Sequence, residues 1–300
     1  MKVRHVYVAL AAAVALAAAG CANNEDADAG STPAAPSGSA AFSIDSVQKD
    51  DALAGQVDAK ISADGKLVVG TDPSYEPNQF KQGGKIVGWD VDLGTAIAKK
   101  LGLTAEFQES KFDAILPALG ARYEIGMSSF TDNVEREKVV DFVTYYSAGT
   151  QWASKDAAFD PANPCGKKVA VQTGTVQDTA DLPARQKKCA GSPMQIQRYD
   201  GQDEATNAVV LGRADAVLAD SPVMAGAVKK VGQGMTLVGD VYDAAPYGIA
   251  IPKTAGTTKE AILGAMKALI ADGTYTKILE KWGVQTGAIK DPVINGAAAG

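Results

Sequence analysis

From residue 66 onward, short apolar runs alternate with stretches whose apolar positions recur every three or four residues. Leu67, Val68 and Val69 predict a strand that breaks at Gly70. Leu93, Ala96, Ile97 and Leu101 share one helical face, with Asp90 or Asp92 placed to cap it. The same reading predicts strands over 104–108, 124–128, 167–171, 194–197, 214–219 and 247–251. It predicts helices over 113–119, 175–187, 203–211, 258–271 and 275–281. Alternation of this kind implies an α/β fold on mostly parallel sheets, whose ligands sit beyond the carboxyl ends of the strands.

The N-terminus has a different pattern. Lys2 and Arg4 precede an apolar run from Val6 to Ala19, followed by Gly20 and Cys21. That run is too short to span a bilayer comfortably and suits a cleaved export signal over 1–20. The segment Ala18-Ala19-Gly20-Cys21 resembles a bacterial lipobox, although Leu is more common where Ala18 stands. The resemblance implies that Cys21 is diacylated, becomes the mature N-terminus and anchors the protein to the membrane. An ordinary secretory signal cut nearby is the alternative. No later run reaches eighteen apolar residues, so the body is expected to be soluble.

Residues 21–61 are rich in Ala, Gly, Ser, Pro and Asp with few large apolar groups, and are expected to form a disordered tether. The 300 residues carry a net charge of −6, of which the leader contributes +2 and residues 22–60 contribute −5. The remaining −3, without a basic stripe, gives nucleic acid no electrostatic footprint. The single histidine, His5, lies in the leader. The mature chain therefore lacks imidazole for triad catalysis or metal ligation, and no metal or cofactor is expected. Of the three cysteines, Cys165 and Cys189 remain in the exported body. A disulfide tying two neighbouring strand starts is the simplest reading, with two free thiols the alternative.

Seven segments in order resemble the family 3 extracellular solute-binding proteins, the amino-acid receptors of bacterial ABC importers. They are Val68–Pro77, Gly88–Leu93, Phe112-Asp113, Ser128–Thr131 with Arg136, Val171–Gln177, Ala214–Asp220, and Asp272–Tyr275 continuing to Lys281-Trp282-Gly283. The resemblance covers residues 64 to about 284. It implies a two-lobed, type II periplasmic-binding-protein-like fold, each lobe a mostly parallel sheet with helices on both faces. Lobe 1 is expected over 62–151 plus 249–286 and lobe 2 over 152–248. Two hinge crossings are expected near 150–153 and 247–251, with a flexible tail over 287–300.

A free amino acid presents a carboxylate and an ammonium on one carbon, so a dry cleft must supply an opposed pair. Arg136 follows Asp132 and Glu135, which are placed to form a capping box, and offers a bidentate fork. In the family the matching arginine holds the ligand carboxylate, helped by residues matching Ser129 and Thr131. The residue matching Asp220 takes the ammonium, with help near Thr175 and Gln177, both of which otherwise cap a helix. Val176 stands where threonine is frequent. Tyr75 and Phe112 match the aromatic walls around the ligand side chain. Asp72 is a surplus negative charge facing the distal end, which favours a cationic or hydrogen-donating side chain and disfavours glutamate.

The resemblance therefore implies a monomeric, non-enzymatic receptor outside the cytoplasm, working with membrane permease subunits and their cytoplasmic ATPase. Two alternatives share the fold. One is a dehydratase of small cyclic acids using Asp72 or Glu76 as an acid. The other is a ligand-sensing module of a larger receptor.

Overall fold

A computed structural model describes residues 43–297. The export signal, Cys21 and the first half of the expected tether lie outside the described residues. In chain order the described residues form α1 (Asp51–Ala54), α2 (Ala59–Ser62), β1 (Lys66–Thr71), β2 (Ser74–Tyr75), β3 (Gln79–Gln82), β4 (Lys85–Val87) and α3 (Trp89–Lys100). There follow β5 (Thr104–Glu109), α4 (Phe112–Ile115), β6 (Ile125–Thr131), α5 (Val134–Glu137), the long β7 (Val140–Ser154), β8 (Lys168–Gln172) and α6 (Leu182–Lys188). The chain continues through β9 (Gln195–Tyr199), α7 (Gln202–Val210), β10 (Ala216–Asp220), α8 (Ser221–Val231), the long β11 (Thr236–Pro252), α9 (Thr258–Ala271) and α10 (Thr274–Trp282).

Eight strands lie in the order β5-β1-β6-β11-β7-β10-β8-β9. Both flanks, β5-β1-β6 and β10-β8-β9, are parallel, as the alternating pattern requires. The antiparallel pair β7 and β11 joins them. Each flank is apolar on both faces. In lobe 1, α3, α9 and α10 cover the main core, while Phe112, Ile115, Tyr123, Phe130 and Phe142 fill the opposite face. In lobe 2, one cluster forms around Val209, Val217 and Met224 and another around Trp152, Val171 and Leu182. Trp89 and Trp152 are fully buried packing residues. Cys165 and Cys189 are joined by a disulfide that ties the approaches to the neighbouring strands β8 and β9.

Several sequence expectations change. The tether does not extend to residue 61: Val57 and Ile61 enter the lobe 1 core, with Ile44, Val47 and Leu53 packed against it. The backbone of this segment is tied to the body by Asp50 N–H to Lys100 O (2.9 Å) and Asp58 N–H to Thr258 Oγ1 (3.1 Å). The C-terminal segment through Ala297 is also held, with Thr144 N–H donating to Val293 O (2.9 Å) and Phe142 N–H to Asn295 Oδ1 (2.8 Å). Its bonds are made largely by backbone, which residue type does not reveal. The second crossing lies earlier than expected, because β11 shifts register between Val238 and Ala245, and Tyr247 already pairs with Thr131 of β6. The first falls where β7, which pairs with β11 from Val140 to Ser154, gains β10 on its other edge from Thr150.

Neither Asp90 nor Asp92 caps α3, whose N-cap is Gly88. Gly88 has φ 137°, and a Cβ there would stand 2.1 Å from Asn78 O, so only glycine fits. The meander β2-β3-β4 was not predicted. No helix among the described residues is long and apolar enough to cross a membrane.

Candidate functional site

The ends of β1, β6, β8 and β10 converge on one cavity between the lobes. All nine candidate residues line it: Asp72, Tyr75, Phe112, Ser129, Thr131, Arg136, Thr175, Gln177 and Asp220.

Arg136 is the cation of the cavity. Its helix α5 starts one residue later than the expected capping box, because Asn133 Oδ1 accepts from Arg136 N–H at 2.9 Å. Asp132 instead turns inward and accepts from Gly296 N–H at 2.7 Å. The Arg136 guanidinium donates to Thr131 O (2.9 Å) and, across the cleft, to Gly174 O (3.1 Å). It lies over the rings of Phe112 (5.5 Å) and Phe130 (5.7 Å), which stack on each other with centroids 4.7 Å apart. Burial lowers its pKa to about 10, opposed by the negative charge of Asp220. It therefore stays charged at neutral pH, with N–H groups left over for a carboxylate.

Asp220 closes β10 and faces Arg136 from lobe 2. Its Oδ1 accepts from Gln177 Nε2 (2.8 Å) and its Oδ2 from the Tyr247 hydroxyl (2.7 Å). Its side chain makes no capping bond to α8, so the carboxylate serves the cavity. Burial raises its pKa, and the Tyr247, Tyr75 and Gln177 bonds and Arg136 counter that rise. Tyr75 comes from the lobe 1 meander yet packs into a lobe 2 core cluster, its hydroxyl accepting from Asp220 N–H at 3.1 Å. The closed cleft is thus built from both lobes.

Asp72 forms the opposite wall. Its Oδ1 accepts from Ser74 N–H (3.0 Å), and its Oδ2 from Phe112 N–H (3.1 Å) and Gln172 Nε2 (2.7 Å). Burial raises its pKa to about 6 despite these bonds, with Asp203 adding to the rise.

The hydroxyl of Thr175 is occupied locally: it donates to Gln172 O (2.8 Å) and accepts from Asp178 N–H (3.3 Å). It therefore closes the turn from Gln172 to Asp178, while the helical segment Gln177–Asp181 that follows has Val176 as its N-cap and no side-chain capping bond. The Ser129 hydroxyl and N–H both point to Asp90, at 3.1 Å each. Glu76 pairs with Lys230 away from the cavity, which removes it as an acid candidate there. Gln79, Ser128, Gln172 and Val176 also line the cavity. Gln172 ends β8 and Ser128 lies within β6, each inside one of the seven family-like segments, and that position is the signal the sequence offers for them.

The fold and this cavity define a two-lobed binding protein with opposed charges for a zwitterion. The family model for bacterial extracellular solute-binding proteins, family 3, matches residues 67–285, and the chain belongs to that family. It is 40% identical over 239 residues to the arginine-binding protein ArgT of Corynebacterium glutamicum, covering 77% of this chain and 78% of that protein. It is 33% identical to an L-arginine-binding protein of Pseudomonas aeruginosa, with 74% and 89% covered. An ancestral arginine-binding protein solved with arginine superposes with a TM-score of 0.67 at 38% identity, covering 73% of this chain and 98% of that one.

Proposed function

We propose that this protein is the receptor of an ABC importer for a free cationic L-amino acid, arginine foremost. The observation that carries the reading is the charge set of one cavity. Two buried carboxylates, Asp72 and Asp220, face a single guanidinium, Arg136. The ligand carboxylate pairs with Arg136 and its ammonium with Asp220. One negative charge, on Asp72, then remains for a side-chain cation, and an anionic side chain would meet it unpaired. Phe112 and Tyr75 flank the aliphatic stem. The arginine-binding names of the relatives support the same ligand class.

Bending at β7 and β11 admits and releases the ligand, and the closed form is delivered to the permease. A diacylated Cys21 holds the receptor at the outer face of the cytoplasmic membrane. The test is a thermal-shift panel of the twenty amino acids, with mass spectrometry of any co-purifying ligand. A ligand at a thousand times its Kd stabilises by about 4 kcal/mol. Arginine, with lysine or histidine behind it, should give the largest shifts, and glutamate as the best ligand would sink the reading. Incorporation of labelled palmitate that is lost on Cys21→Ala tests the anchor.

A further inference from the structure

Beneath the cavity lies a buried polar network that the ligand assignments leave unused. Asp90, in the first turn of α3, is fully buried. Its Oδ2 accepts from Ser129 N–H (3.1 Å), the Ser129 hydroxyl (3.1 Å) and the Tyr145 hydroxyl (3.0 Å), while its Oδ1 has no partner. A buried carboxylate is costly, and this one spends two of its three bonds on a single residue of the cavity floor.

That residue is strained. Ser129 has φ 55°, in the left-handed region that a non-glycine residue enters at a cost and keeps only where its surroundings enforce it. The surroundings here are Asp90, with Asn78 Nδ2 donating to Ser129 Oγ at 2.8 Å. The neighbouring Ser128 hydroxyl accepts from Asp72 N–H (3.0 Å) and Gln79 Nε2 (3.1 Å), which leaves its proton for the cavity.

We propose that Asp90 is a positioning residue. By gripping Ser129 in the left-handed conformation it fixes, before ligand arrives, the floor from Ser128 to Thr131 on which the ligand carboxylate lands. The inference rests on the amino-acid reading above and adds to it the residue that presets the carboxylate subsite. Preset geometry of this kind raises affinity by removing an ordering cost from binding.

The experiment is calorimetric titration of L-arginine into the full chain for wild type, D90A, D90N, S129G and both double variants, with circular dichroism to check folding. D90A should weaken Kd about tenfold or more, the size expected for losing bonds to a charged acceptor. D90N, which keeps one acceptor oxygen, should lose only about threefold by the same argument. Glycine enters the left-handed region freely, so in the S129G background either Asp90 substitution should have less than a twofold effect.

Equal losses in the Ser129 and S129G backgrounds, or a D90A affinity within twofold of wild type, would overturn the proposal. Should D90A fail to fold, the D90N and S129G cycle makes the same comparison. A wild type that ignores arginine but binds another amino acid with this same rescue pattern would overturn the arginine reading and support the role of Asp90.

Discussion

Gln172 of lobe 2 donates to Asp72 of lobe 1 across the closed cleft at 2.7 Å. A neutral amide is a weaker partner for a carboxylate than a guanidinium, so a cationic ligand gains by taking its place. Asp72→Asn should weaken arginine binding by about 10- to 100-fold, the range for a hydrogen bond to a charged group. Glutamine binding should change by less than about threefold, since a neutral side chain gains little from that charge. Calorimetry on both ligands decides the matter: an equal loss for the two would show that Asp72 acts on the lobe contact alone.

The same carboxyl predicts a pH dependence. Burial holds Asp72 at about 6, above its ordinary value of 3.8. The unliganded native state therefore keeps this proton more tightly than the unfolded chain, and the Asp72 contribution to stability falls as pH rises from about 4 to 6. Arginine binding has the opposite slope, because the guanidinium pairs with the ionised form. Its affinity should drop below pH 6 by up to about tenfold per pH unit. The raised pKa of Asp220 affects every amino acid alike. The arginine-minus-glutamine difference from pH 5 to 8 thus isolates Asp72, and a flat difference would refute the pairing.

The cavity was legible in the sequence because its chemistry sits on strand ends, where apolar runs stop at a polar residue. Asp72 after β1, Ser129 and Thr131 on β6, and Asp220 on β10 are all of this kind. Gln79 was hidden because β2, β3 and β4 are two to four residues long and carry no apolar run. Ile44, Val47, Leu53, Val57 and Ile61 were diluted among small and acidic residues, so their docking on the lobe 1 core could not be read from local composition. Asp90 reads as a cap from its place in the chain, and only the fold shows it turned inward onto Ser129. The capping box at 132–135 erred by one residue, since Asn133 competes for the same role and reaches Arg136 N–H.

The disulfide lies before the start of β8, at the opposite end of that strand from the cavity-lining Gln172. Cys189 is buried against Trp152, Val169 and Leu182, and neither cysteine lines the cavity. Its closed loop spans a sequence separation of 24. Replacing both cysteines by serine should cost about 3 kcal/mol in the chain-entropy model. That corresponds to a Tm lower by roughly 10 °C for a domain of this size. Arginine affinity should stay within about twofold, because distant sites act independently. Scanning calorimetry and titration separate the two effects, and a large loss of affinity in a folded variant would contradict the separation.

The C-terminal segment reaches Arg136, the cation of the cavity, through α5. Asn295 bonds Phe142 twice, through its backbone N–H (2.9 Å) and its side-chain oxygen (2.8 Å), and Gly296 N–H donates to Asp132 (2.7 Å). Ala297 N–H donates to Glu137 at 3.1 Å, so this strap touches both sides of the turn that carries Arg136. Asp132 is buried there, and burial together with the adjacent Glu137 raises its pKa to about 7. Removing residues 291–300 uncovers this carboxylate and frees α5 from its clamp. Asp132, no longer buried, would ionise at neutral pH beside Glu137. Several backbone bonds at roughly 1 kcal/mol each are lost, and Tm should fall by about 5–10 °C. Arginine affinity should fall as well, by about three- to tenfold, mainly through faster dissociation, as is usual for changes around a fixed site. Stopped-flow fluorescence of the truncated chain measures this, and an unchanged dissociation rate would show that the strap serves stability alone.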